Sequence, residues 1–222
     1  MKILAHPHIY KNVLLLSLPV MFIERPPFLY RMFFSEALWR IPQKEKTIYL
    51  TFDDGPIPQV TPWVLDLLDE YGIHATFFCT GDNVARNPQL FDSLRARGHQ
   101  VGNHTMSHVQ GIKMSTPDYL RNIEKAHDLI QSPLFRPPHG FIRPGQFAAI
   151  KEKYTTVMWD VVTRDYSRNL DGEQVLNNVR QYARNGSIIV FHDSLKAEKN
   201  LRYALPRAIE WLLQNGYRFD TL

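Results

Sequence analysis

Residues 46–60 read KTIYLTFDDGPIPQV, and this stretch decides the fold. A run shaped like a β-strand ends in two adjacent aspartates, Asp53 and Asp54, followed at once by Gly55 and Pro56. In a strand, successive side chains point to opposite faces, so a single site could use only one of such a pair. Gly55 and Pro56 end the strand, and a turn of the backbone there lets both carboxylates face one site.

From residue 46 onward, short β-rich runs alternate with helical patterns, as expected of an α/β sheet or barrel. The runs at 46–52, 75–79, 99–102, 133–136, 155–159, 187–191 and 217–221 are the expected strands. Between the first two, Val60, Trp63, Val64, Leu67, Leu68 and Tyr71 fall at helical spacing, with Pro62 near the first helical position. Weaker helical patterns occupy 84–97, 116–131, 144–152, 171–184 and 202–215, the second opened by Thr116-Pro117.

The chain has 222 residues, 44% of them apolar, which suits one well-packed core. A border near IPQKEK at 41–46 divides an N-terminal extension, 1–44, from a main domain, 45–222. The net charge of +4 belongs to the extension, which holds six basic residues against two acidic ones. The body carries 20 of each sign and lacks the basic stripe of a nucleic-acid binder, so no nucleic-acid partner is expected. Cys79 is the single cysteine, so no intrachain disulfide forms and a buried, inert thiol is expected.

The extension contains NVLLLSLPVMFI at 12–23, shorter than the roughly 20 residues a spanning helix needs. It has no A-x-A cleavage site and only a thin basic start, which makes a poor secretory signal. A cytoplasmic or peripheral-membrane location is therefore expected over secretion. Tyr10, Phe22, Phe28, Tyr30, Phe33, Phe34 and Trp39 sit among basic residues, a mixture suited to a membrane interface. The alternative is that these side chains pack on the body and close one end of it.

The unusual polar residues are not scattered. Asp53 and Asp54 follow the first strand, NHTMSH the third, RPPHG the fourth, TRDY the fifth and HD the sixth. All lie at carboxyl ends of strands, the edge where sites assemble in barrels and open α/β sheets. His104 and His108 are four residues apart, so a helical turn would put both imidazoles within reach of one metal ion. With one aspartate from the FDDG turn they form an open three-ligand site, leaving a position for water. The other aspartate is then available as a base, with Arg136 as the partner that aims it. His192 emerges at the end of an apolar strand, placed for proton transfer, with Asp165 to hold its ring.

With these residues assembled, the chain resembles the polysaccharide deacetylases of carbohydrate esterase family 4. TFDDGP, HTMSH, RPPHG, DVVTRDY and VFHD occur in family order across residues 46–222. The resemblance implies a distorted seven-stranded (β/α) barrel. It also implies hydrolysis of N-acetyl groups on the amino sugars of a glycan or glycoconjugate, releasing acetate, with a divalent transition metal, usually zinc. It makes Asp53 the general base, Asp54, His104 and His108 the metal ligands, Arg136 the residue orienting Asp53, and His192 the general acid tuned by Asp165. Val190 matches a position lining the pocket for the acetyl methyl, and His139 one whose backbone N–H helps hold the oxyanion. The family commonly has Tyr where this chain has His139 and Trp where it has Tyr166, so a different sugar or a narrower substrate groove is implied.

Other readings explain less. A phosphoryl-transfer enzyme with an aspartate nucleophile would use carboxylate-bound magnesium and would not require two histidines. A glycan-binding module with a vestigial site would not need a proton-transfer pair. An O-acetyl esterase on the same scaffold differs only in the bond cleaved.

Overall fold

Residues 24–222 are described by a computed structural model; Tyr10, Phe22 and the apolar stretch 12–23 lie outside the described residues. Strand β1 (Thr47–Asp53) is buried along its whole length and lies between β2 (Thr76–Cys79) and β7 (Ser187–His192), parallel to both. Outward from β2 come β3 (Gln100–Asn103), β4 (Leu134–Phe135) and β5 (Thr155–Thr156), and beyond β7 lies β6 (Val161–Val162). The order β5-β4-β3-β2-β1-β7-β6 is the expected distorted seven-stranded barrel: a curled, all-parallel run whose ends, β5 and β6, are not joined by a ladder among the described residues. Strand β8 (Arg218–Phe219) pairs with the start of β1 outside that run.

The membership of the seven differs from the sequence expectation. The predicted strand at 217–221 is the appended β8, and its place in the run is taken by β6, which follows the run at 155–159 and is none of the seven expected strands. The TRDY cluster consequently follows β6.

Alternation along the strands sorts two layers. Ile48, Leu50 and Phe52 of β1, with Ile189 and Phe191 of β7, enter the large cluster under the helices, where Phe52 stacks on Phe77 at 4.9 Å. Each such side chain, fully buried, is worth about 1.5–3 kcal/mol over its exposed state. The intervening Tyr49 and Ile188 face a separate cluster inside the curl, as does Val190. The parity of β1 and β7 therefore delivers Asp53 and His192 to the inside of the curl, where they are register partners across the ladder.

The expected helices are present as α2 (Thr61–Glu70), α5 (Thr116–Ile130), α6 (Pro144–Ile150), α7 (Gly172–Tyr182) and α8 (Glu198–Gln214). The predicted helix at 84–97 is two, α3 (Gly81–Arg86) and α4 (Pro88–Ala96), because Pro88 cannot continue the ladder and opens a second helix instead. In α5, the Ser115 hydroxyl caps the first turn, Tyr119, Ile123, Ala126 and Ile130 are buried, and Gln131 ends the helix in the left-handed region. Cys79 is buried in β2.

Ahead of β1, α1 (Phe28–Phe33) leads into a segment laid on the body. Phe34, Ala37 and Trp39 are buried in the same cluster as Phe135 and Met158. Leu38 pairs with Val157 and Arg40 with Ser187, so this segment spans the gap between β5 and β7. Phe28, Leu29, Met32 and Phe33 remain on the outer face at 75%, 57%, 57% and 65% exposure.

Candidate active site

At the carboxyl edge of the sheet, Asp53, Asp54, His104, His108, His139, Tyr166, Val190 and His192 line one cavity of about 510 Å³. Arg136 and Asp165, both fully buried, stand behind Asp53 and His192. All ten residues singled out from the sequence thus meet at one place.

The puzzle of the adjacent aspartates is resolved by one dihedral angle. Asp53 is the last residue of β1 and follows its inward parity, whereas Asp54 has φ 86°, in the left-handed region, which turns its side chain back toward the cavity. Asn83 Nδ2 donates to Asp54 O at 2.7 Å and fixes that turn. Gly55 is required next: a Cβ there would lie 1.9 Å from Asp193 Oδ2. The His104 Nε2 atom is 3.9 Å from Asp53 Oδ2 and 3.8 Å from Asp54 Oδ1.

The four-residue spacing predicts a shared helical face for the two histidines, and the structure has no helix there. Residues 104–108 are a loop, and positive φ at Thr105 (65°) and His108 (52°) folds it until the rings are 5.1 Å apart. Asn103 Oδ1 accepts from Thr105 N at 2.8 Å and its amide donates to Ile123 O, tying the loop to α5. His104 Nδ1 lies 2.8 Å from the carbonyl oxygen of Arg136. A carbonyl can only accept, so Nδ1 carries the proton and Nε2 presents its lone pair. Burial pushes the His104 imidazole down to about 4, which keeps it neutral and fit to ligate.

Asp54 Oδ1, His104 and His108 place ligand atoms within 4.8 Å of one another. Asp54 Oδ1 is buried and has no hydrogen-bond donor, although His108 Nε2 is 3.1 Å away. Burial raises the Asp54 carboxyl, but His108, 3.1 Å away, and the charge of His192 outweigh it and hold the group below the usual carboxylate range. A buried anionic oxygen without a donor, facing two imidazoles, fits a divalent cation with borderline N and O ligands.

Asp53 is satisfied differently. Arg136 Nη1 donates to Asp53 Oδ1 at 2.7 Å and to Thr51 Oγ1 at 2.8 Å, Nε to Val157 O at 3.2 Å, and Nη2 to Met158 O at 3.0 Å. The guanidinium also lies 4.1 Å from the Phe78 ring. Burial lowers the Arg136 pKa and the Asp53 charge opposes that. Across the cavity, Asp165 Oδ1 is 2.8 Å from His192 Nδ1, and Oδ2 accepts from His192 N at 2.7 Å. Burial lowers the imidazole, yet the Asp165 charge and hydrogen bond overcome it and push His192 up to about 9. The ring is held with Nδ1 on the carboxylate, leaving Nε2 to the cavity.

Val190, Val162 and Trp159 form an apolar wall beside these groups. Tyr166 packs edge-on against His192 at 4.8 Å, and the His139 ring lies 4.7 Å from His108. His139 (φ 58°) and Gly140 (φ 72°) make the turn after Pro138, where Trp159 leaves no room for a Cβ at Gly140.

Sequence reasoning gave no role to Asp193, which is fully buried, accepts from Gly55 N at 3.0 Å and from Thr61 Oγ1 at 2.6 Å, and is pushed up to about 8 by burial and by the nearby Asp54 charge. It braces the Asp54 turn. Its signal was an acid following a strand whose parity points it at the helix layer.

A curled parallel sheet with an open Asp-His-His set at its carboxyl edge, flanked by a buried carboxylate and an imidazolium, defines a metal-dependent hydrolase. Residues 40–158 match the model of the polysaccharide deacetylase family, and the chain belongs to that family. A peptidoglycan-N-acetylglucosamine deacetylase of Bacillus cereus is 39% identical over 192 residues, 83% of this chain and 90% of that protein. A chitooligosaccharide deacetylase of Bradyrhizobium sp. is 34% identical over 156 residues, 67% of this chain and 71% of that protein. The crystal structure of the Bc1960 peptidoglycan N-acetylglucosamine deacetylase superimposes with a TM-score of 0.82 at 30% identity, covering 89% of this chain and 95% of that one.

Proposed function

We propose that the chain, through residues 45–222, hydrolyses N-acetyl groups on the amino sugars of a glycan, with N-acetylglucosamine units of peptidoglycan as the preferred substrate. The carrying observation is the pairing of an unsatisfied ligand set with two satisfied proton-transfer groups in one cavity. The substrate class is that printed for relatives sharing most of the chain.

Asp54, His104 and His108 would hold the ion, and zinc is the metal the donor set favours. When bound, the ion supplies Lewis acidity at the carbonyl and lowers the pKa of water. Asp53, aimed by Arg136, takes the proton from the attacking water. The backbone N–H of His139 stabilises the oxyanion, while Val190, beside Val162 and Trp159, receives the acetyl methyl. His192, held by Asp165 and protonated at neutral pH, donates from Nε2 to the departing nitrogen, which leaves poorly as an anion. Tyr166 borders the sugar site.

The exposed apolar face of α1 supports peripheral contact with a membrane, and with it a location at a membrane surface. No helix among the described residues is long and apolar enough to cross one. Phe28→Ser with Phe33→Ser is expected to abolish sedimentation with anionic liposomes; unchanged sedimentation refutes the contact.

The test of function is acetate release from N-acetylated and O-acetylated glycans with and without chelator. Chelator-sensitive release from peptidoglycan or N-acetylglucosamine oligomers is expected. Release from O-acetyl esters alone, or none from any glycan, contradicts the proposal.

A further inference from the structure

The segment ahead of β1 touches the site at two points that its own packing does not require. Its anchoring is accounted for elsewhere: Phe34, Ala37 and Trp39 are buried in the core, and Arg25 and Arg31 reach the fully buried Asp160 at 3.3 and 2.7 Å. Asp160 also holds Arg184 and the Ser187 hydroxyl, making a fixed hub at the base of β6.

Beyond these anchors, Glu24 Oε1 pairs with Arg164 Nη1 at 2.6 Å, while Glu24 O accepts from Val162 N at 2.8 Å. Arg164 has φ 63° and immediately precedes Asp165, the carboxylate that holds His192. On a second loop, the Tyr30 hydroxyl donates to Gly140 O, next to His139. Both loops carry non-glycine residues in the left-handed region, Arg164 and His139, a conformation that persists only where the surroundings over-determine it.

We propose that residues 24–30 act as a strap built from the same chain, with Glu24 and Tyr30 as positioning residues that hold the Arg164–Asp165 and His139–Gly140 loops in their working conformations. The inference rests on the proposed deacetylase reaction, since that reaction gives both loops their tasks. Neither residue touches substrate; Tyr30 acts through the Gly140 carbonyl and Glu24 through the Arg164 side chain. The strap enters from the far N-terminal side, so the geometry of the acid and of the oxyanion donor depends on a segment outside the barrel.

Glu24→Ala and Tyr30→Phe remove one side-chain polar contact each and leave the Asp160 hub and the buried aromatics in place. Each variant is expected to lower kcat about tenfold with KM and melting temperature nearly unchanged, because small displacements of reacting groups cost rate before affinity. Amide hydrogen exchange supplies a readout independent of turnover. Tyr30→Phe is expected to speed exchange at 139–141 alone, and Glu24→Ala at 164–166 alone. Unchanged exchange at both loops overturns the strap, as does a fall in kcat that only follows a fall in melting temperature. If the wild-type chain releases no acetate, the proposed function fails, and the loop-specific exchange still decides the strap.

Discussion

Asp53 and Asp54 are neighbours in sequence and opposites in surroundings. The Asp53 side of the cavity is complete: Arg136 spends its donors on Asp53, Thr51 and two carbonyls, and the companion His192 is matched by Asp165. The Asp54 side is incomplete, with a buried oxygen lacking a donor and two imidazoles turned toward it. A fold tolerates an unsatisfied buried anion only where something from outside supplies the partner. The contrast separates groups that the protein itself satisfies, suited to moving protons, from groups kept open for a cation.

The largest effect that can break this contrast comes from the open side. His104→Ala is expected to lower acetate release by about 10³-fold or more, matching the loss on chelation, because a ligand and the ion's Lewis acidity go together. Substantial residual turnover without metal would remove the ion from the chemistry.

On the closed side, His192→Ala is expected to lower kcat by about 10²- to 10⁴-fold with metal content unchanged. Near-normal release would take His192 out of proton transfer. Arg136→Ala tests the same side through stability: it strands the Asp53 carboxylate in the interior and is expected to cost about 3–5 kcal/mol in denaturant unfolding. A small cost would show that water reaches Asp53 and that its satisfaction by Arg136 is dispensable.

The mildest effect lies in pH. His192 is raised from an ordinary value of 6.5 to about 9 in the folded protein, so its pairing with Asp165 stabilises fully below pH 6.5 and is lost as pH climbs through about 9. Asp165→Asn removes the charge that raises it, and the alkaline limb of kcat/KM is expected to move down by about one pH unit or more. An unmoved limb would assign that limb to another group.

The contrast is partly legible in the sequence. The strand-like runs KTIYLTFD and SIIVFH end in Asp53 and His192, and the polar clusters after successive strands locate the edge where both sit. Long amphipathic stripes such as Tyr119, Ile123, Ala126 and Ile130 marked their helix for the same local reason. The sequence did not show what depends on single dihedrals or distant partners. The left-handed turns at Asp54, Thr105 and His108 make the site, yet few non-glycine residues of any type adopt such a conformation, so residue type does not mark these three, and the four-residue histidine spacing suggests a helix that is absent. Strand β6, two residues long, is too short to stand out as a run of its own. The Asp160 hub and the Glu24–Arg164 pair join residues more than a hundred positions apart and leave no periodic trace.

The division between the two aspartates is tested most directly by elemental analysis of Asp53→Asn and Asp54→Ala, purified side by side with wild type. The account predicts that Asp53→Asn retains about one equivalent of metal per chain while losing turnover, and that Asp54→Ala loses the metal. Equal metal loss in both variants, or full retention in Asp54→Ala, would contradict it.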